Sequence, residues 1–390
     1  MWFRIFVLAL GTFAVGTDSF VIAGILPNIA GSLHISLALA GLTITTFSLV
    51  YGFGAPVLAA FTGTIKRRHL LLVSLLVLAL ANLLAALASN LPLLLAARVL
   101  AALGAALYTP TASAVAATLA PAQQRGRALA LVMTGLTAST VLGVPLGVLI
   151  GSWINWQATL IFVALLSLLA FLGVLSLFPQ VSAPPVASLR TRLAFLGRPG
   201  LSVALIHTLL IMAGMQIIFT YIRPLLQQMA HLNDVTVSAM LFLFGIAGVL
   251  GGFVGGYGAD RWGNIRTLMG GLVVLSTVLF LYPWIGITLP SAALALIVWG
   301  VAGWSLTPTQ QHRLVAFAPD AAGIILSLNS SAIYLGFSLG SGLGSVLIQN
   351  ISLSGLCWAA ASWEACTLLF ILLSVRLKSS ITEKSTTEVA

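Results

Sequence analysis

Long runs of apolar residues alternate with short polar connections along almost the entire chain. Each run holds about 20 residues, enough to cross a bilayer as a helix, and none shows the alternation of a barrel strand. Because only helices and closed barrels satisfy their backbone groups in lipid, the pattern predicts transmembrane helices. We place twelve spans near residues 5–27, 38–62, 70–89, 92–118, 127–150, 156–178, 200–224, 236–258, 267–287, 290–311, 322–349 and 354–376.

The basic residues divide the connections into two sets. The predicted termini and every second connection hold fifteen of the seventeen Lys and Arg residues, which leaves Arg223 at the edge of a connection and Arg98 inside span 4. The positive-inside rule assigns the basic set to the cytoplasm, so both termini are predicted to be cytoplasmic. We therefore expect a multi-pass protein of a bacterial inner membrane.

Composition excludes several classes of protein. Hydrophobic residues make up 60% of the 390, charged residues make up 6%, and the mean hydropathy is +1.12, which excludes a water-soluble globule. The net charge of +10 follows the membrane topology, so we expect the lipid bilayer and no nucleic acid as a partner. The five His residues are scattered and no phosphate-binding GxxxxGKS or GxxxxGKT sequence occurs, so we expect no enzyme activity, metal or cofactor.

The two halves of the chain repeat. Pro92 and Pro290 are 198 residues apart (290 − 92 = 198), and the Thr-Pro-Thr triplets at 109–111 and 307–309 have the same separation. Internal repeats are typical of secondary transporters, whereas shared Ala, Leu and Gly composition is the alternative explanation. The predicted units are a six-helix half at 1–178, a cytoplasmic linker at 179–199, a six-helix half at 200–376 and a disordered cytoplasmic tail at 377–390.

Asp18 is one of only seven acidic residues and lies inside the first span. Counted from Arg4, it is about 21 Å along a helix that crosses about 30 Å of hydrocarbon. A charge at this depth is costly, so we expect Asp18 to face a protein interior or a water-filled cavity and to bind a proton, an ion or substrate. The alternative is a carboxylate held near the outer end by caps or water, without a role in transport.

Two glycine-rich motifs mark places where helices turn or pack closely. The sequence GGYGADRWG at 255–263 is predicted as the loop between spans 8 and 9, where glycines permit a sharp turn and Asp260 can cap a helix or pair with a cation. In span 5, Gly143, Gly147 and Gly151 form a smooth face, and Pro145 bends the helix. Such a seam suits two halves that rock against each other, and ordinary close packing is the alternative.

These motifs resemble those of the major facilitator superfamily. Residues 255–263 look like its signature loop, with Gly256, Asp260, Arg261 and Gly263 at the motif positions. The sequence from Gly143 to Gly151 is similar to its antiporter motif, although Val144 stands where Gly is usual. Arg98 and the small residues that follow are similar to the motif of proton-coupled exporters. The opening sequence at 16–33 is close to the drug:proton antiporters, which include sugar-efflux, purine-efflux and chloramphenicol-resistance permeases.

The resemblance implies an all-α fold of twelve helices in two pseudo-symmetric six-helix halves, with spans 1, 4, 7 and 10 around a central cavity. Asp18 lies about 13.5 Å from Pro27 and Arg98 about 9 Å from Pro92, so the two can pair. We expect protonation of Asp18 to free Arg98 and bias alternating access, and snorkelling of Arg98 to the interface is the alternative. The implied function is export, by a monomer, of a drug, sugar or metabolite in exchange for protons. A proton-independent facilitator or an uptake symporter is the alternative.

Aromatic and polar residues of the second half are candidates for the substrate cavity, because aromatic walls with a few polar groups suit a drug-sized amphipathic ligand. They are Gln216, Phe219 and Tyr221 in span 7, Trp299 and Trp304 in span 10, and Asn329 and Tyr334 in span 11, with Arg223 and Gln310 beside them. For each residue, packing or interface anchoring is the alternative.

Glu364 is a second carboxylate within a span, about 15 Å into span 12. The resemblance places span 12 outside the cavity, so we expect a neutral Glu that is hydrogen-bonded to a neighbouring helix. Protonation avoids most of the cost of burial. A proton site is the alternative.

Overall fold

The computed structural model describes residues 1–179 and 189–387, and the described part confirms an all-helical fold with twelve helices long and apolar enough to cross a membrane. The spans are, in order, Trp2–Ser32, Leu37–Phe61, Arg67–Ala86, Leu91–Leu119, Arg125–Trp153, Trp156–Leu177, Gly200–Phe219, Asp234–Trp262, Asn264–Ile285, Leu289–Val315, Ala322–Leu347 and Leu353–Val375. We call spans 1–6 the N-terminal half and spans 7–12 the C-terminal half.

Further helical segments lie between and after the spans. The predicted linker contains a helix at Leu189–Leu196, and span 7 is followed by a separate helix at Ile222–Met229. The last helix continues to Thr387, through most of the segment predicted as a disordered tail. Residues 180–188 of the predicted linker and 388–390 of the predicted tail lie outside the described residues.

Four spans begin with a polar cap at one end of the bundle. The side chains of Ser36, Asn90, Asn155 and Asn233 accept hydrogen bonds of 2.8–3.2 Å from backbone N–H groups three residues later, at the starts of spans 2, 4, 6 and 8. These caps satisfy N–H groups that a helix leaves without partners at its first turn. We call this end the opposite face, and the end that carries 66–68 and Arg261 the basic face.

Span 8 does not end where the sequence predicts. The helix continues to Trp262, and the turn is confined to Gly263, whose φ is +85°. The prediction of a loop at 255–262 is therefore wrong. One residue in the positive-φ region open to glycine is enough to separate two long helices.

Span 5 contains the irregularity expected near Pro145, and the structure shows its form. A π-helical turn at Ser139–Gly143 separates a helix at Arg125–Ala138 from one at Val144–Trp153. Proline has no backbone N–H and cannot bond the carbonyl one turn earlier, so the wider turn lies directly before it.

Contacts between the two halves lie between the middle of the bundle and the opposite face. Spans 2 and 11 share hydrogen bonds from Thr45 to Ser341 (Oγ1 to Oγ, 2.9 Å) and from Ser338 Oγ to the Thr45 carbonyl (3.1 Å). Spans 5 and 8 are joined by the Ser238 hydroxyl, which donates to the Pro145 carbonyl at 2.8 Å. These hydrogen bonds hold the two halves together at the opposite face, so this arrangement is closed there.

Candidate functional site

Asp18 and Arg98 form an ion pair inside the N-terminal half. The distance from Arg98 Nη1 to Asp18 Oδ1 is 2.7 Å, and Arg98 Nη2 also donates to the Asp18 backbone carbonyl at 3.2 Å. Their side chains are 0% and 1% exposed, respectively. Asp18 Oδ2 and Arg98 Nε have no hydrogen-bond partner among the described residues. Both side chains therefore lie in the protein interior, and Arg98 does not extend to the membrane–water interface.

Aromatic side chains connect this ion pair to the C-terminal half. The Arg98 guanidinium carbon lies 4.3 Å from the centroid of the Phe47 ring, within the range of a cation–π interaction. Phe47 contacts Tyr51 and Tyr334, whose own rings stack with centroids 3.6 Å apart. The Tyr334 hydroxyl lies 3.5 Å from Ser19 Oγ, next to Asp18. The ion pair is therefore connected to span 11 by a series of direct side-chain contacts.

An aromatic cavity lies between the halves. Its lining comprises six aromatic rings, two methionines and one amide: Phe20, Met212, Met215, Gln216, Phe219, Phe244, Trp299, Trp304 and Phe337. The lining side chains leave a volume of about 20 Å³, room for about one water molecule. None of these side chains is charged, so the cavity suits an amphipathic organic molecule, and it is nearly filled in this arrangement.

Four of the predicted cavity residues line this cavity, namely Gln216, Phe219, Trp299 and Trp304. The other five candidates, which include Arg223, are elsewhere. The Tyr221 hydroxyl donates to Ser345 Oγ at 3.0 Å, toward the opposite face. Asn329 and Gln310 line a separate pocket, where Asn329 accepts a hydrogen bond from Thr208. Tyr334 stacks on Tyr51.

The sequence-based prediction did not include five of the lining residues: Phe20, Met212, Met215, Phe244 and Phe337. All five are apolar residues within apolar runs, so nothing in the local pattern marks them. The spacing of Met212, Met215, Gln216 and Phe219 at three and four residues was the available signal for the span 7 face, because such residues share one side of a helix.

Arg223 closes the opposite face. Its Nη1 donates to the Gly24 carbonyl at 2.8 Å and to Asn28 Oδ1, both in span 1, and its Nη2 donates to Asp234 Oδ1 at 2.6 Å. Gln227 donates to the same carboxylate oxygen at 2.8 Å. The guanidinium therefore bridges the two halves, and the sequence-based choice of Arg223 as a cavity residue is wrong.

The glycine face of span 5 packs inside the N-terminal half. A Cβ atom added at Gly143, Gly147 or Gly151 would overlap Thr17, Val21 or Ile25 of span 1, respectively. Both rows advance four residues at each step, so the two helices are in close contact along this seam. The expectation that this face forms the seam between rocking halves is wrong, because its partner is span 1.

In the motif at 255–263, glycines allow span 8 to pack closely against neighbouring helices, and the charged residues Asp260 and Arg261 are exposed. A Cβ at Gly255 would overlap the Ser305 backbone carbonyl, whereas Gly256 has open space around it. Arg261 Nη1 donates to the Tyr257 hydroxyl at 2.6 Å. Asp260 is exposed and forms no salt bridge among the described residues, so neither the cap nor the ion pair considered for it is present.

Glu364 is fully buried at the contact between spans 12 and 7, where Gly214 leaves space for its carboxyl group. Neither oxygen has a hydrogen-bond partner among the described residues. The Met215 backbone of span 7 lies beside the carboxyl group, so the expected contact with a neighbouring helix is present without full hydrogen-bond geometry. Glu364 lies behind the cavity wall rather than in it, because Met212, Met215 and Gln216 face the cavity from the same helix.

Comparison with known proteins gives consistent matches over most of the chain. A family model described as Major Facilitator Superfamily matches residues 8–341. The MFS-type transporter YbcL of Bacillus subtilis (strain 168) is 35% identical over 358 residues, 92% of each chain. The inner membrane transport protein YdhP of Escherichia coli (strain K12) is 31% identical over 342 residues, 88% of each chain. The chloramphenicol resistance protein of Streptomyces lividans is 33% identical over 376 residues, 94% of each chain.

Solved structures share the fold at low sequence identity. The D-xylose-proton symporter superposes with a TM-score of 0.77 at 17% identity, covering 95% of this chain and 97% of the symporter. The human organic anion transporter MFSD10 (TETRAN) superposes with a TM-score of 0.68 at 17% identity, covering 95% and 98%, respectively. At this identity the superpositions establish the fold alone. The sequence relatives are transporters, which confirms the expectation that the chain is not an enzyme.

Proposed function

The chain belongs to the major facilitator superfamily, and we propose that it exports a drug-sized organic molecule in exchange for protons by alternating access. The observation that carries the proposal is the buried ion pair between Asp18 and Arg98, in which Asp18 lies two residues before a cavity-lining residue, Phe20. A carboxylate paired with one cation can take up a proton, whereas the guanidinium stays charged. Each protonation event therefore changes the net charge of the pair.

Protonation of Asp18 acts through Arg98. Once the carboxylate is neutral, the guanidinium remains in the protein interior without a counter-ion, and breaking a buried pair in this way costs about 3–5 kcal/mol. The guanidinium, which lies 4.3 Å from the centroid of the Phe47 ring, then shifts relative to that ring as it turns to other hydrogen-bond acceptors. The Phe47, Tyr51 and Tyr334 contacts carry this movement to the interface between the halves.

The direction of transport and the substrate class are inferred from two sources. The similarity to a chloramphenicol resistance protein over 94% of the chain supports export of an antibiotic-sized molecule. The uncharged aromatic lining suits an amphipathic ligand with a hydrogen-bond acceptor. Its polar groups are the Gln216 amide and the Trp299 indole N–H, which has no hydrogen-bond partner in the described part of the chain. The fifteen basic residues of the predicted termini and of one set of connections support a cytoplasmic basic face. The protein is then a monomer in a bacterial inner membrane. Its opposite face, which is closed in this arrangement, lies on the outer side of that membrane.

Proton release on ligand binding tests the proposal. Chloramphenicol is added to detergent-purified protein in weak buffer, and a pH indicator reports protons. The wild type is expected to release protons, and Asp18→Asn is expected to bind the drug without release. Glu364→Gln, which removes the other buried carboxyl group, serves as the matched control and keeps the release.

Three other outcomes would contradict the proposal. Binding without release by the wild type identifies a proton-independent facilitator. Release that persists in Asp18→Asn and disappears in Glu364→Gln moves the coupling to span 12. In proteoliposomes, drug movement in the same direction as the protons identifies a symporter.

A further inference from the structure

Phe20 projects from the N-terminal half into a ring of aromatic side chains in the C-terminal half. Its ring centroid lies 6.3 Å from that of Phe219, 6.1 Å from Trp304 and 5.9 Å from Phe337, and all three pairs are edge-to-face. These partners come from spans 7, 10 and 11. Edge-to-face contacts at this separation are favourable for aromatic rings. One side chain of span 1 is therefore held by an aromatic cage built from the other half.

The same ring fills the cavity from one side. Of the nine described lining residues, Phe20 is the one that belongs to the N-terminal half. The remaining volume of about 20 Å³ is far below the range of about 300–1,000 Å³ typical of drug-sized sites. A ligand enters only if lining side chains move. Phe20 is the side chain whose withdrawal empties the cage while the helix contacts within the C-terminal half stay in place.

Phe20 is also close to the ion pair along span 1. It lies two residues after Asp18 on the same helix, and Ser19 between them contacts the Tyr334 hydroxyl. Residues two apart in a helix are separated by about 200° around its axis, so Asp18 and Phe20 project to nearly opposite sides of span 1. Any movement of this part of span 1 that accompanies ligand entry therefore displaces both the Phe20 ring and the Asp18 carboxylate.

We propose that Phe20 occupies the subsite that receives an aromatic ring of the substrate, so that a ligand binds by displacing this side chain. The proposal rests on the proposed transport function and assigns it a specificity residue and a ligand class. The class is organic molecules with a planar aromatic ring, because such a ring recovers the three edge contacts that Phe20 gives up. Sugars and aliphatic molecules cannot recover them.

The proposal is tested by whether replacing Phe20 strengthens or weakens ligand binding. Phe20→Ala removes the competing side chain, so chloramphenicol is expected to bind roughly tenfold more tightly than to the wild type in isothermal titration calorimetry. Arabinose, which has no aromatic ring, is expected to bind neither protein. Phe219→Ala, which removes a wall of the cage, is expected to weaken chloramphenicol binding. Phe6→Ala, an exposed phenylalanine of the same span, is the matched control and leaves binding unchanged.

Opposite results overturn the proposal. Weaker binding by Phe20→Ala, as for Phe219→Ala, would make Phe20 a wall of the site instead of a competitor for it. If chloramphenicol binds neither the wild type nor Phe20→Ala, the proposed class of aromatic ligands is wrong. Binding of arabinose would also show that this class is wrong. Phe20→Leu keeps much of the packing volume without the ring and is expected to bind chloramphenicol more tightly than the wild type. Its thermal unfolding confirms that the comparison concerns folded protein.

The outcomes that would refute the proposed function differ from those that would refute the role of Phe20. If the wild type binds chloramphenicol without releasing protons, antiport is wrong whatever the sign of the Phe20→Ala effect. If protons are released and Phe20→Ala weakens binding, antiport stands and the assignment of Phe20 is wrong.

Discussion

Replacing Arg223 by alanine is expected to open the face of the bundle opposite the basic face. The guanidinium is 3% exposed and donates to the Gly24 carbonyl at 2.8 Å and to Asn28 Oδ1 across the interface between the halves. Its third bond, to Asp234 Oδ1, stays within the C-terminal half. Only the first two bonds are lost when the halves separate at this face, so they favour the closed arrangement.

The size of the effect follows from those two bonds. A hydrogen bond from a charged donor contributes about 1.5–3 kcal/mol, and the lower end applies because water hydrates the guanidinium once the face opens. Two such bonds contribute about 3 kcal/mol, which corresponds to a factor of about 10² in the equilibrium between closed and open forms. Arg223→Ala should shift that equilibrium toward the open form by this factor.

Double electron–electron resonance measures the shift. Spin labels are attached to cysteines that replace Leu39 and Val235, exposed residues at the opposite face in spans 2 and 8. The exposed Cys366 is replaced by serine, and the buried Cys357 is kept. The ratio of long to short label distances in Arg223→Ala, relative to the wild type, gives the change in the equilibrium constant directly.

Two variants separate the bonds between halves from the bond within one half. Asp234→Asn removes the charge of the intra-half ion pair and keeps the bonds to span 1, so a much smaller shift is expected. Asn28→Ala removes one of the two bridging bonds and is expected to give an intermediate shift. Unchanged distances in Arg223→Ala would refute the reasoning. A shift in Asp234→Asn as large as that in Arg223→Ala would show that the ion pair, and not the bridge, keeps the face closed.

Two further predictions concern packing and the second buried carboxyl group. Gly340→Ala is expected to destabilise the protein by about 1–3 kcal/mol, because the added Cβ would overlap the Ala213 carbonyl of span 7. Gly323→Ala, on the same helix with open space around it, should leave the melting temperature unchanged or higher, and equal thermal shifts for the two variants would contradict the packing. Glu364→Gln should keep the melting temperature and transport of the wild type, because neither carboxyl oxygen has a well-formed hydrogen bond to lose. A large loss of transport in proteoliposomes would instead give Glu364 a role in proton coupling.

The sequence by itself determines the number of spans and the depth of their charges. Hydrophobic run length is a local property, so the twelve spans can be counted directly, and the fixed rise of a helix places Asp18 and Arg98 at similar depths. Short polar residues such as Asn90 and Asn233 also mark helix starts locally, through their own hydrogen bonds. These features depend on residues close together in the chain.

The tertiary structure alone decides which helix faces meet. Hydrophobic patterning gives little guidance on the rotation of an apolar helix inside a bundle, since lipid and protein interior are both apolar, so Phe20 and Phe337 look like any other residues of their runs. The glycine face of span 5 is visible in the sequence, but its partner, span 1, is not. The same holds for Arg223, whose acceptors Gly24 and Asn28 lie almost 200 residues away in the chain. The rotation and packing of helices from distant parts of the chain bring the aromatic cage, the ion pair and the Arg223 bridge together, because those contacts depend on every neighbouring span at once.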